Sequence, residues 1–172
     1  MPVCGSRERY GEAIRIDLVS PLGVPGLLWC PGYAEMVYRA GRKVTDVARV
    51  AQLRSERLSH LSAEVWAVFS MAALTGVPRE VAVAQVEHLL SLPERVRLHL
   101  IPEGEGTGLV GIPGPMMVFT LADGRKVVTS DHLEGSVVHA SSVVARAQEL
   151  VRDALSLAMP PTMSLSALKE LL

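Results

Sequence analysis

Residues 64–100 constrain the fold more than any other stretch. Val65, Trp66, Ala67, Val68 and Phe69 form a short apolar run rich in β-branched and aromatic side chains, which predicts a buried strand. Pro78 then suits the entry to a helix, and Val81, Val83, Ala84, Val86, Leu89 and Leu90 give residues 79–92 a broad apolar surface before Pro93 ends it. Residues 95–100 alternate strictly. Val96, Leu98 and Leu100 share one side, while Arg95, Arg97 and His99 share the other, as in a strand buried on one face. Strand, helix, strand in this order predicts a right-handed parallel crossover.

A second signal lies downstream. Ala122-Asp123-Gly124 separates two β-type runs, 116–121 and 125–129, and Asp-Gly between such runs predicts a hairpin. Further helices are expected over 31–41, with Pro31 at the first position and Gly41 past the end, and over 45–61, capped by Thr45. Residues 137–157 read as one long helix, and Ser164 is expected to cap a short last one over 165–172. Residues 14–18 alternate briefly and read as a segment lying on the body, while 1–13 are polar and expected to be loose. The expected fold is α+β: one domain over 1–172, with a small mixed sheet (a β-α-β unit plus a β-hairpin) packed with several helices. With 49% hydrophobic but only 4% aromatic residues, its core must be mainly Val, Leu and Ala.

A net charge of −1 gives no general attraction to nucleic acid or acidic membranes. The two cysteines, Cys4 and Cys30, form no spaced framework, which favours a reduced, cytoplasmic setting. No apolar run approaches the roughly 18 residues of a membrane span, and the first ten residues carry no signal-peptide pattern.

The segment Val24-Pro25-Gly26-Leu27-Leu28, followed by Tyr33-Ala34 and then Arg54 and Arg57, resembles the start of an uncharacterised actinobacterial domain family. That family usually follows an XRE-type helix-turn-helix in transcriptional regulators, and the likeness runs from about Ile14 to the C-terminus. The resemblance implies no particular chemistry. Only a dozen residues precede it here, so this chain is expected to lack the DNA-reading head. Several positions depart from the family pattern. Trp29-Cys30 stands for Gln-Thr, Leu58 for Gln, and Ser70-Met71-Ala72-Ala73-Leu74 for Asp-Glu-Ala-Ala-Leu. If these positions border one cavity, it has become apolar and wide, with Met71, Met116 and Met117 as adaptable walls and Trp66 beside them.

Few residues suggest chemistry. Asp131, His132 and Glu134 follow the hairpin and could do acid–base work at a strand end, or form a solvated turn. The acidic residue that follows this strand in the resembling family matches Asp131. Tyr33 is a further catalytic candidate, a polar group that could polarise a substrate in the expected cavity. Arg54 and Arg57, three apart on one helical face, would either clamp an anion or share a structural ion pair. Cys30 reads as a buried or capping residue unless the helix it precedes lowers its pKa. The Gly-rich stretch 104–111 lacks the Lys of a phosphate loop and reads as a lid. The five histidines are scattered and no metal site is expected.

The combined expectation is a stand-alone small-molecule-binding protein with an apolar pocket, most strongly a cofactor-free enzyme that cyclises a hydrophobic natural-product precursor. The alternative is a non-catalytic effector-sensing or partner-binding module of a regulatory system. Both take a hydrophobic small molecule and neither touches DNA directly. The exposed helix faces leave a homodimer open.

Overall fold

The computed structural model describes residues 13–41, 46–105, 109, 111–112, 114–132 and 135–172, with the side chains at 50, 54, 55, 57, 132 and 135 left outside that description. Six strands form one mixed sheet: β1 (Ala13–Ser20), β2 (Glu64–Ser70), β3 (Val96–Ile101), β4 (Met116–Leu121), β5 (Lys126–His132) and β6 (Gly135–Val138). Their order across the sheet is β3-β2-β1-β4-β5-β6. The described helices are α1 (Pro31–Gly41), α2 (Val47–Ser55), α3 (Ala72–Thr75), α4 (Arg79–Leu90), α5 (Val144–Leu157) and α6 (Pro161–Lys169).

The expected crossover and hairpin are both present. β2 and β3 pair in parallel with α4 between them, and β4 pairs antiparallel with β5 across the Asp123-Gly124 turn. Gly124 sits at φ +83°, a conformation that only glycine adopts without strain. Pro31 opens α1, where its missing N–H costs nothing.

Three local expectations are corrected. Residues 14–18 are not a surface strip but most of β1, a central strand parallel to β2 and antiparallel to β4. From Ile16 to Ser20 every residue of it is buried. The start of the supposed long helix 137–157 is instead an edge strand: Val137 and Val138 pair with Ser130 and Thr129, and α5 begins only at Val144. Here β-branched residues beside an open sheet edge outweigh the helical spacing. Ser164 lies inside α6 rather than capping it. Its buried hydroxyl accepts the Leu100 N–H at 2.9 Å and donates to the Met159 carbonyl at 3.2 Å. The Met159 N–H in turn donates to the Leu100 carbonyl, so residues 159–164 satisfy the outer edge of β3. Thr45 lies outside the described residues; the carboxylate of Asp46 accepts the Arg49 N–H at 3.1 Å and serves as the cap of α2.

The two faces of the sheet carry separate cores. On one, Ile16, Leu18, Val65, Ala67, Phe69, Leu98, Leu100, Met117 and Phe119 meet Tyr33 of α1, Val86 and Leu89 of α4 and Leu168 of α6. On the other, Val19, Val68, Ile101, Met116, Val118 and Val128 meet Ala147, Val151 and Ala154 of α5. Helices thus cover both faces.

Candidate functional site

β1, β2 and β3 are mutually parallel, and β5 shares their direction because it is antiparallel to β4, itself antiparallel to β1. The carboxyl ends of four strands therefore meet at one end of the sheet. The chain leaves β1 and β2 toward the α1–α4 face, but the connection from β3 to β4 buries Leu109 and Ile112 in the core beneath α5. In open sheets, the place where connections diverge to opposite faces at the strand ends is the usual ligand position.

Several predicted residues gather at this end of the sheet, on the α1 face. Trp29 is partly buried, and its indole N–H donates to the Val24 carbonyl at 2.5 Å. Its ring centroid is 6.1 Å from Tyr33 and 6.0 Å from Tyr38, edge-on to the latter. The Tyr33 hydroxyl accepts the Val24 N–H at 3.3 Å and donates to the Ala73 carbonyl at 3.1 Å. Burial pushes this phenol above its ordinary pKa, an effect the Val24 hydrogen bond partly offsets. With both functions of its hydroxyl committed to backbone, Tyr33 ties the segment after β1 to the segment after β2. Met71 leads into α3 and packs on the same apolar cluster as Leu58 and Met117.

The structure does not unite the whole predicted set. Met116 and Met117 are adjacent on β4, so the pleat sends them to opposite faces, and they cannot be walls of one cavity. Trp66 likewise lies on the α5 side, away from Trp29. Asp131 lies within β5 rather than in a loop after it; half-buried, it pairs with Ser136, whose hydroxyl donates to its carboxylate at 2.6 Å. Glu134 and the side chains of His132, Arg54 and Arg57 lie outside the described residues, as do parts of the 104–111 stretch. Cys30 is buried; its sulfur accepts the Tyr33 N–H at 3.4 Å at the start of α1.

Charge concentrates at the opposite end of the sheet, on the α5 face, where the sequence reading placed no site. Arg15 donates to Asp17 through Nε at 2.8 Å and Nη2 at 2.6 Å. Its guanidinium also lies 4.0 Å from the centroid of the Trp66 ring, and that of Arg97 lies 5.3 Å away. The Trp66 ring stacks on His99 at 5.5 Å. The indole N–H of Trp66 and Nε2 of His99 are buried without a hydrogen-bond partner. The sequence signals for this patch were Arg97 and His99 on the polar side of the alternating 95–100 strand, and Arg15 and Asp17 alternating with Ile14, Ile16 and Leu18, which a surface strip would equally show.

A family model described as a domain of unknown function, DUF5753, matches residues 8–170. The chain belongs to this family. The assignment agrees with the resemblance of the Val24–Leu28 segment to an uncharacterised domain. Neither a curated protein nor a solved structure matches this DUF5753 chain. No helix among its described residues is long and apolar enough to cross a membrane.

Proposed function

We propose that this DUF5753 domain binds a hydrophobic small molecule outside the carboxyl ends of β1, β2, β3 and β5. The convergence of those four strand ends, with connections leaving to opposite faces, is the observation that carries this reading. The ligand would lie beside the 21–30 segment, against Trp29 and Met71, rather than inside the cluster holding Leu58 and Met117. Methionine and tryptophan suit a flexible apolar ligand, since one adapts its shape and the other offers a broad face.

In its strongest form the domain is a cofactor-free enzyme that cyclises a hydrophobic substrate within natural-product assembly. Such a reaction gains most of its rate from holding a flexible chain in a reactive conformer. Asp131, its carboxylate oriented by the Ser136 hydroxyl, is the described group assigned the acid–base role, with His132 and Glu134 next to it in the chain. Tyr33 has a positioning role. A non-catalytic effector-sensing module is the second reading, favoured by the resemblance to actinobacterial domains that follow XRE-type DNA-binding heads.

Incubating the purified chain with extracts of a strain lacking its gene separates the two. A compound whose retention time or mass changes with the wild-type chain, and not with Asp131→Asn, supports the enzyme. Compounds that raise the melting temperature but emerge unchanged support the sensor. If no extract component does either, small-molecule binding itself is refuted.

A further inference from the structure

The charged end of the α5 face holds an open cleft of about 570 Å³, between α5 and strands β1, β4 and β5. Arg15, Asp17, Thr120, Lys126, Gln148, Glu149 and Arg152 supply its polar lining. We propose that this cleft binds a small organic anion bearing a carboxylate or phosphate group, at a site separate from the carboxyl ends of the strands.

The ion pair is the first reason. Asp17 is only 9% exposed, on a central strand of the sheet. Its partner Arg15 keeps 37% of its side chain exposed, so the costly step is taking the Asp17 carboxylate out of water, and an apolar residue would serve that core position as well or better. A charge pair there invites a functional explanation.

The geometry of Arg15 is the second. Asp17 and the Trp66 ring hold the guanidinium in place, and Asp17 occupies only part of its donor set. The remaining N–H groups belong to a side chain that lines the cleft. A guanidinium held in this way loses little freedom when it binds an oxyanion in a planar fork.

The balance of charge is the third. Lys126 lies across β4 from Arg15 through Thr120, with which both residues are in register. Its ammonium contacts the neutral Thr120 hydroxyl at 3.3 Å, and among the described residues neither Lys126 nor Arg152 forms a salt bridge. Three cations thus line the cleft against Asp17 and Glu149, and Glu149 is itself held by Arg146 at 3.1 Å. The volume falls within the range of small-ligand sites.

The test uses the whole ¹⁵N-labelled chain in NMR titrations at constant ionic strength. Inorganic phosphate and succinate are added in separate arms, which distinguish the two anion chemistries. Saturable shifts centred on the amides of Arg15, Thr120 and Lys126 with at least one anion are expected. Lys126→Gln with Arg152→Gln should weaken that binding roughly tenfold or more, from the loss of charge-assisted hydrogen bonds. Arg152→Gln alone, on an exposed helix position, gives a folded variant in which a smaller weakening is expected. Linear shifts spread over the whole surface, or saturable shifts of equal strength in these variants, would overturn the proposal. Neither result bears on the hydrophobic ligand at the other end of the sheet.

Discussion

The side chain of Gln85 on α4 bridges the backbone of residues 28 and 30 as a neighbouring strand would. Its Nε2 donates to the Leu28 carbonyl at 2.8 Å and its Oε1 accepts the Cys30 N–H at 2.8 Å. Gln85 is 0% exposed, so water cannot replace either bond. Gln85→Met keeps the volume and removes both, leaving two buried backbone groups unpaired. Each such group costs about 1–3 kcal/mol, so urea unfolding should show a loss of about 2–6 kcal/mol. A loss below about 1 kcal/mol would mean the 28–30 segment finds other partners.

The two tryptophans should respond differently to loss of the indole N–H. In Trp29 that group is bonded to Val24, whereas in Trp66 it is buried without a partner. Trp29→Phe should destabilise by about 1–2 kcal/mol, since the Val24 carbonyl is also left unpaired. Trp66→Phe removes no hydrogen bond and keeps a ring beneath Arg15; its cost should stay near 0.5 kcal/mol, mainly from a weaker cation–π contact. Equal losses on chemical denaturation would contradict this ordering.

Stability should fall on the acid side of neutrality. Burial lowers the pKa of His99 from 6.5; the Met159 carbonyl opposes this, while Arg97 and Arg15 reinforce it. Burial alone lowers that of His88. Below about pH 6.5 the unfolded chain then binds protons that the folded one refuses, so stability declines until the folded value is reached. His99→Gln should flatten the decline in melting temperature between about pH 7 and pH 5. An unchanged slope would assign the effect to other groups.

Gly124→Ala tests the hairpin. At φ +83° a Cβ strains the backbone by about 1–2 kcal/mol, although nothing lies within 4 Å of the added atom. The melting temperature should drop with no change in the far-ultraviolet spectrum at low temperature. No measurable drop would show that the turn relaxes to another form.

How legible each part was follows from how local its causes are. Asp123-Gly124 specifies a turn by itself, and the alternation of Val96, Leu98 and Leu100 specifies a half-buried strand by itself; both appear as read. Residues 14–18 do not reveal their burial in the sequence, because the burial of a strand depends on its neighbours, and Arg15 and Asp17 make a central strand look like a surface one. Val137 and Val138 joined the sheet only because the edge of β5 was open to them. For the candidate site, the Trp29–Tyr33 neighbourhood could be found from sequence because its residues are close along the chain.

The sequence alone determined the β-α-β unit, the hairpin and the family, because turn chemistry, proline positions and short periodicities act over a few residues. Tertiary structure decided that β1 lies inside the sheet, that Met116 and Met117 part company, that Gln85 serves residues 28–30, and that Arg15, Lys126 and Arg152 share one cleft. Those relations join residues far apart in the chain, and only the pairing of strands and the packing of helices on their two faces brings such residues together.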